Sequence, residues 1–157
     1  MIVPSKVSVC REPFDLAAEL RALTAGRTDI GGVASFVGLV RDLGHDATQP
    51  LLSMSLEHYP GMTERALEAI VAEAGSRWPL LGVRVIHRYG ELAPGDPIVL
   101  VLVASAHRGE AFAACEFIMD YLKTRAPFWK KEATAAGALW VDARDSDDAA
   151  ASRWRQG

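Results

Sequence analysis

The stretch GVRVIHRYGELAPGDPIVLVLVASA, residues 82–106, contains two apolar segments on either side of a Pro-Gly-Asp turn signal. Both segments are rich in β-branched residues, which favour strands. The longer apolar run, residues 98–106, has nine residues, whereas a helix that crosses a membrane needs about twenty. Because the connection is short and rich in turn formers, we predict two buried strands that pair as an antiparallel hairpin.

Outward from this hairpin, strand patterns alternate with helical ones. The remaining strands are predicted at residues 6–10, 31–41, 51–59 and 138–143, and the helices at residues 15–26, 60–78 and 109–126. Glycines in the 31–41 segment suggest a bulged strand, and the last helix should end before Pro127. The polar tail 144–157 is predicted to be frayed. The pattern predicts a single α+β domain over residues 1–157, with a mainly antiparallel sheet and flanking helices.

Composition excludes several classes of function. The 157 residues carry a net charge of −3 with a pI of about 5.8, which argues against broad nucleic-acid binding. The N-terminal sequence lacks the pattern of a secretory signal, so we expect a cytoplasmic protein with no membrane association. Cys10 and Cys115 form no metal-binding spacing, and Cys115 has the surroundings of a core residue. The four histidines do not cluster, so no metal site is expected.

The segment DYLKTRAPFWKKE, residues 120–132, concentrates the primary amines of the chain. Only four of the seventeen Lys and Arg residues are lysines, and three of them lie in this segment: Lys123, Lys130 and Lys131. Lys123 follows Met119 by four residues and shares its helix face. Because Pro127 ends the helix, the chain can turn there and bring Lys130 back toward Lys123. A continuing helix would instead carry Lys130 about 10 Å further along its axis.

Other basic residues lie at strand ends, where binding residues often occur. His107 and Arg108 follow a buried strand and begin a helix, a place that suits phosphate or carboxylate, and Arg41 ends a second strand. Each has a simpler explanation as a solvated turn or surface residue, and a Lys-Lys pair can merely complement a helix dipole. The chain uses arginine thirteen times, however, which favours the hypothesis that the retained amines mark positions where arginine cannot substitute.

The role of Lys123 stays open on this reasoning. Repulsion from a second ammonium group is too weak to leave it uncharged at neutral pH. Binding of an anion is therefore the safer prediction. A nucleophilic amine would need further desolvation, for which Met119 and Phe128 are the available apolar neighbours.

Several motifs together resemble the large, catalytic subunit of molybdopterin synthase. They are LEHYPGM at 56–62, SAHR at 105–108 and FIMDYLKTRAPFWKKE at 117–132, supported by GLVR at 38–41 and WVDARDSD at 140–147. The resemblance extends from about residue 31 to residue 148 and implies an α+β fold with a hammerhead-like subdomain. Members of that family convert cyclic pyranopterin monophosphate into molybdopterin by installing two sulfurs as a dithiolene.

The resemblance also implies partners. Sulfur is supplied as a thiocarboxylate on the C-terminal glycine of a small ubiquitin-like subunit, whose tail inserts into a pocket of the large subunit. Two large subunits form the central dimer of a heterotetramer. No permanently bound cofactor or metal is implied. The chain lacks the length for a fused sulfur carrier, so the partner is expected to be separate.

By position in the motifs, the resemblance implies that Lys123 and Lys130 are catalytic. Lys123 would act covalently or as a general acid/base, and Lys130 would stabilise negative charge. The implied substrate-binding residues, besides the two lysines, are Leu39, Val40, Arg41, His107, Arg108, Lys131 and Glu132, and the implied pocket-wall residues are Phe36, Met119 and Arg144. The loop at residues 42–50 matches no family pattern.

Two rival functions are kept open. A non-catalytic module that binds an anion or a partner through the same basic pocket would need only charge, so Lys123→Arg would preserve its function. An enzyme that forms a Schiff base through Lys123 would trap a carbonyl substrate with borohydride and would need no protein partner.

Overall fold

The computed structural model describes residues 5–41, 53–134, 137–141 and 145–156. The strands are β1 Ser5–Cys10, β2 Gly32–Leu39, β3 Ser53–His58, β4 Leu80–Arg88, β5 Gly90–Leu92, β6 Pro97–Ser105, β7 Phe128–Thr134 and β8 Gly137–Val141. The helices are α1 Leu16–Thr24, α2 Met62–Arg77, α3 Arg108–Arg125 and α4 Asp145–Ser152, followed by a 3₁₀ turn at Arg153–Gln156. The predicted α+β class is confirmed. The hammerhead-like subdomain stays a prediction.

The described strands form two sheets of four. The first sheet has the order β1-β4-β6-β2, and the second has the order β5-β3-β7-β8. Every pairing is antiparallel except β1 with β4, which is parallel. The predicted pairing of β4 with β6 is confirmed, but β5 lies between them in the chain and joins the second sheet. The bulge predicted in β2 occurs between Gly38 and Leu39.

The first sheet is covered on both faces, which explains the continuous apolar run in β6. One face packs with α2 and α3 in the main core, and Leu100 and Leu102 on the other face pack with Phe14 and Leu23 at the α1 side. Side chains of a strand alternate between faces, so both sets of β6 residues must be apolar. The stripe predicted on α2 is buried as expected: Leu67, Ile70, Val71 and Ala74.

The prediction of a frayed C-terminal tail is wrong for residues 145–156. This segment forms α4 and the 3₁₀ turn, and Ala151 is fully buried. Trp154 packs edge-on against Phe117 of α3 and donates a hydrogen bond from Nε1 to Asp120. Arg153 also bonds to Asp120. The tail was predicted to be frayed because most of its residues are polar. Trp154 and Arg153 nevertheless hold it on α3.

Strand β7 was absent from the predicted elements. Helix α3 ends at Arg125, as predicted from Pro127, and the chain then turns into β7, which pairs with β3 and β8 in the second sheet. In the described residues, no helix is long and apolar enough to cross a membrane.

Candidate anion-binding and catalytic site

Helix α3 positions the first amine of the site. Lys123 lies in its last turn, is half-buried and lines a cavity of about 460 Å³ between α3 and β2. Phe36 and Met119, both predicted as pocket walls, line the same cavity. Met119 is on the face of α3 that Lys123 occupies, because the two residues are one helical turn apart. The cavity is therefore apolar along part of its wall and has an amine at one end.

Strand β7 positions the second amine. Lys130 is half-buried and pairs with the fully buried Leu56 of β3. The start of β7 is held by Thr63, whose hydroxyl donates to the carbonyl oxygen of Pro127 at 2.9 Å. The same hydroxyl accepts the amide N–H of Tyr59 at 3.1 Å. A buried side chain thus fixes the turn that brings β7, and with it Lys130, beside the end of α3.

A buried histidine of the first sheet contacts the start of β7. His87 of β4 is 4 % exposed, and its ring stacks on Phe128 at a centroid distance of 3.9 Å. The pKa of His87 is lowered to about 3, mainly by burial and to a smaller extent by the positive charges of Lys123 and Lys130. Both amines thus contribute to the electrostatic environment of one buried ring. Their convergence across the turn at Pro127 stays a prediction.

Two residues predicted to bind an anion lie at the N-terminal end of α3, far from Lys123. His107 is the residue before the helix and Arg108 is its first residue, and both are exposed. Lys123 follows Arg108 by fifteen residues of continuous helix, a separation of about 22 Å along the axis. Within one chain, the structure therefore does not bring His107 and Arg108 to the paired lysines.

Arg41 lies at the same end of the molecule as Lys123. It follows β2, whose Leu39 pairs with Pro97 at the start of β6, while Gly32 at the other end of β2 pairs with Ser105. Since α3 runs back along the sheet from the end of β6, its C-terminal turn returns toward the Leu39 end. Val40 is buried, and its backbone bonds to Asp96 and Gly95, whereas Leu39 and Arg41 are exposed.

The remaining predicted site residues are Lys131 and Glu132, which follow Lys130 in β7, and Arg144. Lys131 follows Lys130 in β7, so its side chain points to the opposite face of the second sheet, where it is exposed. The geometry of the strand argues against a pocket that both Lys130 and Lys131 line, and the assignment of Lys131 to that pocket stays a prediction. Glu132 pairs through its backbone with Met54, but its side chain lies outside the described part of the structure. Arg144 and the loop at 42–50 also lie outside the described residues.

Sequence reasoning missed a group of side chains near the start of β7, where His58 pairs with Phe128. His58 of β3 packs its ring against Tyr89 at 4.2 Å, and its Nε2 is 3.9 Å from Oε1 of Glu64. The other oxygen of Glu64 accepts the N–H of Gly61 at 2.8 Å and caps α2. Among the described side chains, Oε1 of Glu64 is a buried oxygen without a hydrogen-bond partner. The available signal was His87, a histidine inside a strand that is predicted to be buried.

The thiols are poorly suited to nucleophilic chemistry. Burial raises the pKa of Cys115 to about 11, with a further contribution from Glu116, so this thiol stays protonated at neutral pH and is a poor nucleophile. Cys115 belongs to the main core, as the sequence predicts. In the part of the chain that the structure describes, no group of three His, Cys, Asp or Glu side chains could hold a metal ion. Amines are the chemically distinctive groups of this site.

The fold and the site define a two-sheet α+β protein with Lys123 in a cavity between α3 and β2 and Lys130 on β7, the strand that follows α3. The MoaE protein family model matches residues 9–125, and the chain belongs to that family.

Relatives and solved structures agree with this membership. The chain is 62% identical over 148 residues to the molybdopterin synthase catalytic subunit of Ralstonia nicotianae, covering 94% of this chain and 83% of that protein. The structure of a molybdopterin biosynthesis MoaE protein from Burkholderia ambifaria is 55% identical, with a TM-score of 0.82 and coverage of 96% of this chain and 98% of the other. A complex of subunits 1 and 2 of molybdopterin-converting factor from Helicobacter pylori is 19% identical, with a TM-score of 0.70 and coverage of 88% and 91%, and shares the fold.

Proposed function

We propose that the chain is the catalytic subunit of a molybdopterin synthase. It would transfer two sulfurs to cyclic pyranopterin monophosphate from the C-terminal thiocarboxylate of a small ubiquitin-like partner. The observation that carries the proposal is that Lys123, which lines a cavity of about 460 Å³, and Lys130, from a different element, both contribute positive charge around one buried ring. Membership in the MoaE family supports the reaction class.

The chemistry of the substrates fits this arrangement. A pterin phosphate and a thiocarboxylate are both anions, and they must approach each other despite mutual repulsion. Two half-buried ammonium groups offset that repulsion where the reacting atoms meet. Lys123, which lines the cavity, would act on the pterin carbon that receives sulfur. Lys130, held on β7, would stabilise negative charge on the substrate or on the thiocarboxylate.

A separate partner fits the absence of reactive sulfur at the described site. Cys115, the cysteine that lines the cavity, is held as a protonated core thiol. This supports a source of sulfur outside the chain. The Helicobacter pylori structure is titled as a complex of two subunits of molybdopterin-converting factor, and we propose an equivalent small partner here.

Self-association would explain the position of His107 and Arg108. These residues cannot reach Lys123 of their own chain across about 22 Å of helix. Phe36, Leu39 and Phe112 are 43%, 55% and 64% exposed on the β2 and α3 side, which is an apolar surface next to the cavity. A twofold dimer through this surface would place the far end of one α3 near the cavity of the other copy. We therefore propose that each phosphate site uses residues of both copies.

Reconstitution tests the enzyme. The purified chain is mixed with cyclic pyranopterin monophosphate and a thiocarboxylated small subunit, and dithiolene-containing pterin is assayed for the wild type, Lys123→Arg and Lys131→Arg. We expect product from the wild type and from Lys131→Arg, which changes an exposed residue on the opposite face, and at least a hundredfold less from Lys123→Arg. Equal product from all three would reduce Lys123 to an electrostatic role.

The rival functions give different results. No product from the wild type, with a partner shown to be loaded and bound, would leave the non-catalytic binding module. Borohydride trapping of a carbonyl substrate on Lys123 without any partner would instead favour the Schiff-base enzyme.

Mixing two inactive variants tests the shared site. Lys123→Ala and Arg108→Ala chains are combined, and subunits are allowed to exchange. If each site uses residues of both copies, random exchange restores about a quarter of wild-type activity, because half of the dimers then contain one intact site. No recovery after demonstrated exchange would show that each chain works alone.

A further inference from the structure

His87 is a polar residue in the centre of the first sheet. Its strand β4 lies between β1 and β6, and His87 pairs with Val9 on one side and Val99 on the other. The ring reaches the second sheet, where it lies nearly parallel to Phe128, at 24° between the ring planes. Phe128 precedes Lys130 by two residues in β7 and therefore shares its face. His87 thus connects the sheet that supports α3 to the strand that carries Lys130.

The protonation of the ring follows from its hydrogen bond. Nδ1 of His87 is 2.8 Å from the backbone carbonyl oxygen of Arg88. A carbonyl oxygen only accepts, so the proton must be on Nδ1 and the neutral ring carries a bare Nε2. The lowered pKa of about 3, caused mainly by burial, is consistent with a ring that stays neutral throughout the physiological range.

The charged groups around the ring come from three other elements. Lys123 belongs to α3, Lys130 to β7 and His58 to β3, and the charge of each lowers the pKa of His87. His58 itself lies beside the carboxylate of Glu64 at 3.9 Å. Lysine ammonium groups only donate hydrogen bonds, whereas the neutral imidazole of His87 has one nitrogen that can accept a hydrogen bond. Phenylalanine or leucine would fill the same apolar space without that property.

We propose that His87 is the positioning residue of the lysine pair: its stacked ring holds β7 against the first sheet, and its bare Nε2 is an acceptor for the lysine ammonium groups. This role rests on the proposed sulfur transfer for its effect on turnover. Its structural part, the fixed tautomer and the order of the lysine side chains, is independent of any reaction. Substrate would still bind without His87, but the amines would no longer be held at the geometry that the reaction needs.

The variant His87→Phe separates these contributions, because it keeps a flat ring against Phe128 and removes both nitrogens. We expect kcat to fall about tenfold while KM changes less than twofold, since the lost interaction orients a catalytic group rather than binding substrate. The matched control His58→Phe removes the neighbouring imidazole and should change kcat less than threefold. A wild-type kcat for His87→Phe would overturn the proposal. Equal losses in kcat, in substrate affinity and in thermal stability would also overturn it, by indicating general damage to packing.

An NMR measurement tests the structural part without turnover. In ¹⁵N-labelled protein at pH 7, His87 should show a protonated Nδ1 and a bare Nε2, and nuclear Overhauser effects should connect its ring to the side chain of Lys123 or Lys130. In His87→Phe, the side-chain signals of these lysines should broaden. If the wild type shows this pattern but makes no product, the proposed function fails and the positioning role holds. A proton on Nε2, or lysine signals that His87→Phe leaves unchanged, overturns the positioning role whatever the activity.

Discussion

Acidification should destabilise this protein through His87, and the size of the effect can be worked out. The pKa of this residue is lowered by burial from its usual 6.5 to about 3. Between these two pH values the unfolded chain binds a proton that the folded chain does not, so the free energy of unfolding falls as the pH falls. The slope is about 1.4 kcal/mol per pH unit for one proton. From pH 7 to pH 5, the loss from His87 alone is about 2 kcal/mol.

Urea unfolding of the wild type and of His87→Phe at pH 7, 6, 5.5 and 5 measures this contribution. Other groups titrate in the same range, but they are common to both proteins and cancel in the difference between their stabilities. The stability of His87→Phe relative to the wild type should rise by about 2 kcal/mol between pH 7 and pH 5. Phe128→Leu is the matched control: it weakens the ring stack but keeps the imidazole, so its pH dependence should follow that of the wild type.

Parallel stability curves for the wild type and His87→Phe over this range would refute the reasoning. They would mean that His87 takes up a proton in the folded protein as readily as in the unfolded chain. The ring would then not be a buried neutral group beside the lysines. An unchanged urea m-value is needed for the comparison, because it shows that the same surface is exposed on unfolding in each case.

Two further changes test the supports of the site. Thr63→Val removes the fully buried hydroxyl that joins Tyr59 to Pro127, and it should lower the free energy of unfolding in urea by about 2–3 kcal/mol. Thr63→Ser keeps both hydrogen bonds and should lower it by about 1 kcal/mol. Equal losses for the two variants would show that the hydroxyl is unimportant. Phe117→Ala empties a fully buried ring position in α3 and should cost about 3–5 kcal/mol. A loss below about 1 kcal/mol would contradict the packing of the C-terminal segment on this helix.

Local patterns were sufficient for much of the fold. The apolar period of α2, the buried run of β6 and the break at Pro127 each depend on neighbouring residues, and each was predictable from them. The second sheet was harder, because β7 is rich in charged and aromatic residues and pairs with β3, about seventy positions earlier in the chain. Trp154 was missed for a related reason: its partners on α3 are distant in sequence.

The site was predictable in its residue types but only partly in its geometry. The helix that ends before Pro127 and the turn into β7 keep the convergence of Lys123 and Lys130 possible, as the sequence predicts. The separation of Arg108 from Lys123 was also implicit, because an uninterrupted helix of eighteen residues is about 27 Å long. A single-chain pocket that contains both ends of such a helix is geometrically impossible. His87 could not be assigned to the site from sequence, because its partners come from α3, β7 and β3.

The three lysines of the 120–132 segment therefore differ in how strictly their positions require lysine. Lys123 and Lys130 are half-buried, and we predict that the wider, planar guanidinium of arginine would not fit at these positions as a compact amine does. Lys131 is exposed on the opposite face of β7, where arginine would serve equally well. Lys130→Arg should consequently lower turnover at least tenfold while Lys131→Arg leaves it unchanged. If both substitutions were tolerated, the amines would matter only for their charge, and the distinction between buried and exposed lysines would carry no functional meaning.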